Sequence, residues 1–174
     1  MNSPDIIIEN VHLQLDKSDR YIEGKVEVVI TLKNNSQTST YYMLKRPRNI
    51  EYDKGSHTLS IDLYENEPPQ DISCSPSEPE QIEILPGATL QWQYLLPVWM
   101  KKITRSSGSR EIVEVSDISG VQKVVCTVAC HTSPFRVDSS QKPEEVLVAL
   151  SKWGEKVSAS FERSLVDRVS QTKI

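Results

Sequence analysis

The sequence predicts a mainly β protein: an antiparallel β-sandwich of about 7–8 short strands followed by one C-terminal amphipathic α-helix. Three observations predict it. Apolar residues recur at every second position through most of residues 6–130, the period of a strand with one buried face. Turn residues separate the runs, as at Asn34-Asn35-Ser36 and Pro86-Gly87. After Pro143 the apolar spacing changes to three and four, the period of a helix.

The elements follow in order. Ile6-Ile7-Ile8 leads into Val11, Leu13 and Leu15, which alternate with His12 and Gln14. Val26, Val28, Ile30 and Leu32 alternate with Lys25, Glu27, Val29, Thr31 and Lys33, so one face is mostly wet, as in an antiparallel sheet. Residues 40–44 form a short aromatic strand that Arg46-Pro47-Arg48 ends. Leu59, Ile61 and Leu63 alternate with Ser60, Asp62 and Tyr64. Ile82 and Ile84 precede the Pro86-Gly87 turn, after which Leu90, Trp92, Tyr94 and Leu96 alternate with Gln91, Gln93 and Leu95. Residues 112–115 and 121–130 supply the last two runs. No helical period of useful length separates these strands, which argues against parallel βαβ units.

Pro143-Glu144-Glu145 reads as a helix start, with proline in the first turn and acids at the positive helix end. Val146, Leu150, Trp153, Val157 and Phe161 then fall on a stripe about 80° wide, which Leu165 and Val169 continue. The spacing predicts one helix over 143–170, weakened at Gly154 by up to about 1 kcal/mol relative to alanine. The expected division is a β-sandwich domain over 1–138, with a long Pro- and Ser-rich loop at 65–80. A helical segment over 139–174 packs on it or extends from it.

Composition narrows the function. A net charge of −4 and a pI near 5.5 argue against a dedicated nucleic-acid binder, because phosphate binding rests on a cationic surface. No apolar run approaches the roughly 18–20 residues that span a bilayer, and residues 1–5 lack the features of a signal peptide. Cys74, Cys126 and Cys130 make no disulfide framework. Cys126 and Cys130 sit four apart on one strand, about 13 Å, beyond the roughly 7 Å limit for bridged Cα atoms. Reduced thiols point to a cytoplasmic location. Asn34-Asn35-Ser36 matches a glycosylation acceptor but reads as turn chemistry.

Catalytic motifs are missing: there is no Gly-x-Ser-x-Gly, phosphate loop or His-Glu-x-x-His. His12, His57 and His131 are the three histidines. Cys130-His131 has the types of a nucleophile and its base, but adjacent strand residues point to opposite faces. Cys74, Cys126, Cys130 and His131 have the atoms for zinc without the spacing. No catalytic residue, metal or cofactor is therefore assigned.

Charge is locally polarised. Nine acids lie between Glu51 and Glu83 against Lys54 alone. Lys101, Lys102, Arg105 and Arg110 follow Trp99 with no acid among them, and Lys45, Arg46 and Arg48 form another basic knot. These charges either steer a partner or meet one another within the fold. The helical segment is nearly balanced, which argues against a membrane-surface helix. The predicted partner-binding residues are Trp99, Lys101, Lys102 and Arg105, read as a basic loop, set against the acidic stretch or against Trp153 and Phe161 of the helix. Self-association through the helix is a further expectation.

Two stretches carry a resemblance. The run from Val26-Glu27-Val28 to Asn34-Asn35-Ser36, and Ile84-Leu85-Pro86-Gly87-Ala88-Thr89-Leu90-Gln91-Trp92, resemble bacterial immunoglobulin-like modules, the intracellular proteinase inhibitors of bacilli among them. The resemblance covers residues 6–100 and excludes the helix and the antibody Cys–Trp–Cys pattern. It implies an immunoglobulin-like sandwich that binds or scaffolds. The functional expectation is a non-enzymatic intracellular protein-binding module, an adaptor or accessory unit. An inhibitor of an intracellular protease, presenting the 65–80 loop, is the alternative. A cysteine-dependent enzyme using Cys130 comes last.

Overall fold

The computed structural model describes residues 5–16, 25–65, 78–105 and 111–162. Their elements in chain order are β1 (Ile6–Asp16), β2 (Lys25–Asn34), β3 (Tyr41–Leu44), β4 (Asn49–Asp53), β5 (Thr58–Leu63), β6 (Gln81–Ile84), β7 (Thr89–Pro97), β8 (Trp99–Arg105), β9 (Glu111–Asp117), β10 (Lys123–His131), α1 (Pro143–Lys152) and β11 (Glu155–Glu162). The chain is thus mainly β, with sheets paired mostly antiparallel and one helix among the described residues.

The alternation in β2 makes it the centre of a three-stranded antiparallel sheet, β1-β2-β7. Val28 lies opposite Leu13 and Tyr94, and Ile30 opposite Val11 and Trp92, so the apolar sets of three strands stack on one face. In β1 the phase changes from Ile6 and Ile8 to Val11 and Leu13, and a bulge between Ile8 and Asn10 absorbs the extra residue.

The second sheet runs β4-β5-β10-β3-β6, with β11 on β10 as well. Residues 123–128 of β10 pair with both β5 and β11, so these two lie on opposite edges of β10. The β5–β10 pairing is parallel, a departure from the all-antiparallel expectation; the intervening chain has no helix among its described residues. Beyond β5, Cys130 and His131 pair with Met43 and Tyr42 of β3.

The apolar faces of both sheets feed one core. Val28, Ile30, Leu32 and Trp92 from the first meet Leu59, Ile61, Leu63, Val124, Cys126 and Val128 from the second. Asn34, fully buried, ties the sheets together: its amide nitrogen lies 2.8 Å from the Ser39 carbonyl oxygen, 3.1 Å from that of Ile84 and 3.2 Å from that of Leu85. The indole of Trp92 donates to the Lys45 carbonyl at 2.7 Å. A smaller cluster of Leu44, Phe135, Val146 and Leu150 seats α1.

The long C-terminal helix is corrected. α1 ends at Lys152, Trp153 is extended (φ −73, ψ 132) and Gly154 takes φ +83. Residues 155–162 form β11 instead, pairing with β10 from Glu155–Cys130 to Glu162–Lys123. A spacing of four is even, so Val157 and Phe161 suit a strand as well as a helix. Ala159 between them, and the alternating Ser158 and Ser160, complete a period of two. Leu165 and Val169 lie outside the described residues.

Two further strands are not among those the alternation predicts. In β4, Ile50 and Tyr52 are half-buried between exposed Asn49, Glu51 and Asp53. The basic "loop" beginning at Trp99 is strand β8.

Candidate functional site

Among the described residues, strands β8 and β9 pair only with each other and form a separate two-stranded ribbon. Its base is anchored: Val98 and Ile118 are buried, and the Ile118 N–H donates to the Val98 carbonyl at 2.8 Å. Trp99 lies opposite Asp117, Met100 opposite Ser116, Lys101 opposite Val115 and Lys102 opposite Glu114. Cross-strand partners share a face, so the register sorts the ribbon into two faces.

The inner face turns towards β4. Met100 packs against the core and Ser116 is buried. Lys102 Nζ lies 4.0 Å from Glu51 Oε1, and Lys54 Nζ lies 3.1 Å from Glu114 Oε1. An open groove of about 640 Å³ lies between the ribbon and β4, lined by Glu51, Tyr52, Lys54, Met100, Lys102 and Glu114, among others. Basic and acidic groups are balanced there, and two of the pairs already meet across it.

The outer face has an apolar patch beside the charged Lys101 and Asp117. Trp99 is 43% exposed, Val113 52% and Val115 43%; Ile112, also exposed, falls on the other face, opposite Thr104. Lys101, exposed on the same face, makes no ion pair among the described residues. Sequence reasoning found Trp99 and Lys101 but missed Val113 and Val115. The signal was present: Ile112-Val113-Glu114-Val115 is apolar on both faces of one strand, so a single sheet covers only half of it.

The other predicted residues are distributed differently. Arg105 belongs to β8, and its side chain lies outside the described residues. Trp153 is half-buried beside α1, edge-on to Phe135 at 6.2 Å and stacked on His131 at 6.0 Å. Phe161 lies opposite Val124 and packs on the main core. They serve the interior and share no stripe. The basic knot is taken up locally: Lys45 and Arg46 each lie 3.5 Å from Glu80, and Arg48 lies 3.8 Å from Glu65. Residues 66–77, most of the Pro- and Ser-rich loop including Cys74, lie outside the described residues.

Cys126 and Cys130 are reduced and buried. Burial first, with help from Asp62 and Glu155 respectively, pushes both thiols up to about 12. His131 is exposed beyond Cys130, and its Nδ1 accepts from the Ser133 N–H at 2.8 Å. A thiol so placed stays protonated at neutral pH and is no ready nucleophile. Among the described residues no group of three His, Cys, Asp or Glu could hold a metal ion, and no helix is long and apolar enough to cross a membrane. No family model, curated protein or solved structure matches the chain.

Proposed function

We propose that the protein is a non-enzymatic protein-binding module, an adaptor or accessory unit, whose docking element is the β8–β9 ribbon. One observation carries this reading: Trp99, Val113 and Val115 are exposed together on one face of a strand pair anchored at its base. An aromatic and aliphatic patch bordered by charge has the composition of an interface centre with its rim. Buried Val98, Ile118 and Ser116, with Met100 packed on the core, seat the ribbon's base, which favours a patch set in place before binding. The immunoglobulin-like sandwich is the architecture we favour behind it, supported by two sheets whose apolar faces share one core. The reduced, buried thiols favour a cytoplasmic setting.

The test is a pull-down comparing wild type with a Trp99→Ser, Val113→Ser, Val115→Ser variant of equal melting temperature. A specific partner, another protein or a second copy, should be retained by wild type and lost by the variant. Equal retention by both would defeat the ribbon as the docking element.

A further inference from the structure

We infer that the outer face of the β8–β9 ribbon docks on the same face of a second copy of this chain, with β8 of one copy lying over β9 of the other. The inference rests on the ribbon's being a docking element and names its partner.

The argument is charge complementarity around an apolar centre. By register, the outer face of β8 carries the positions of Lys101 and Arg105 and no acid, and the outer face of β9 those of Glu111 and Asp117 and no base; Lys102 and Glu114 belong to the inner face. A twofold axis can stack two such ribbons face to face in two ways with the strands nearly aligned. An axis across the strands lays β8 on β8 and β9 on β9, like charge on like. An axis along the strands lays β8 on β9 at both ends of the interface, opposite charge on opposite. The second arrangement also brings Trp99, Val113 and Val115 of each copy against those of the other.

Edge-to-edge pairing about a twofold would again set β8 beside β8 or β9 beside β9, which the same charges oppose. Only the face-to-face arrangement with β8 over β9 satisfies both the apolar patch and the charges. It is a closed, isologous contact that uses each patch once and stops at two copies. Lys101, without an ion pair in its own chain among the described residues, then finds the acidic strand of the other copy.

The experiment is sedimentation equilibrium of the full chain over a wide concentration range, with melting temperature as the check on folding. Wild type should show a reversible monomer–dimer equilibrium. Val113→Asp should abolish it. Lys101→Glu and Asp117→Lys should each weaken it about tenfold or more. An equimolar mixture of Lys101→Glu and Asp117→Lys should recover dimer as a heterodimer, because the reversed charges at positions 101 and 117 are again opposite in sign across the interface. Hydrogen exchange on wild type alone supplies a second readout: amides of β8 and β9 should gain protection as concentration rises.

Wild type that stays monomeric at every concentration, or a dimer that survives Val113→Asp, overturns the inference. A monomer whose triple Ser variant loses a different protein partner refutes self-pairing and leaves the docking element standing. A monomer with no loss of binding in that variant refutes both.

Discussion

A Cβ placed on Gly154 would lie 3.0 Å from the carbonyl oxygen of Cys130 and 3.1 Å from its nitrogen. With φ at +83, Gly154 turns the chain out of α1 and lays β11 directly along β10. The close approach is to backbone, which cannot swing aside as a side chain would. Gly154→Ala should therefore lower stability by about 2 kcal/mol, combining left-handed strain with the contact. Gly120→Ala is the control, since nothing lies within 4 Å of its Cβ position. Urea denaturation of both variants checks this, and equal midpoints would show that Gly154 is not the pivot.

Asn34 closes the junction between the sheets, and its amide has a polarity that matters. The side-chain nitrogen serves three carbonyls while Oδ1 accepts from the Ser36 N–H at 3.0 Å. Asn34→Ala leaves buried carbonyls without a donor and should cost about 2–4 kcal/mol. Asn34→Asp should cost at least as much, because a carboxylate cannot donate and is charged in a buried place. Denaturation midpoints of the two variants decide; a harmless Asp would mean that the nitrogen's bonds contribute nothing.

The two buried thiols set an alkaline limit. Both are raised from 9.0 to about 12 in the folded chain. Above about pH 9 the unfolded chain releases those protons while the folded chain keeps them. Stability present below pH 9 is therefore lost as pH rises towards 12, by about 1 kcal/mol per unit for each thiol. Stability measured by denaturant at stepwise pH should fall in that window, and the slope should shrink in Cys126→Ala and Cys130→Ala variants. An Ellman-type thiol reagent at pH 8 should react slowly with the native chain at these positions and fast after unfolding.

Trp153 provides a local test of the small cluster under α1. It packs on Phe135 and His131, with Val146 and Leu150 beside it. Trp153→Ala should lower stability by about 2–3 kcal/mol, below the cost at a fully buried site because Trp153 is only half-buried. The loss should not depend on protein concentration, since the side chain faces its own fold. Thermal melts at several concentrations check it; a concentration-dependent loss would place Trp153 in an interface instead.

The strands were legible wherever one buried face imposed strict alternation, as in β2, β5 and β7. Even the bulge in β1 left its mark as the phase change between Ile8 and Val11. In β8 the clustered Lys101 and Lys102 masked the strand, because both faces of that ribbon carry charge and neither shows a clean period. β9 reads as a strand from its apolar run, but the run alone does not show that Val113 and Val115 are left facing water. For the basic knot at Lys45, Arg46 and Arg48, the sequence posed the right alternatives, and the geometry pairs it with Glu65 and Glu80.

By itself the sequence determined the class of the protein: alternating side chains must bury one face, and that demand is local and readable one strand at a time. It also determined where α1 begins, since Pro143, Glu144 and Glu145 act through the first turn alone. Only the tertiary structure decided where α1 ends. Val157 and Phe161 fit both periods, and the choice fell to the edge of β10, whose backbone groups from Lys123 to Cys130 needed a partner strand. The same holds for Trp99, which is 43% exposed, and Trp153, packed on Phe135: each is a tryptophan among charged neighbours, and only the packing of distant elements settles which one faces water.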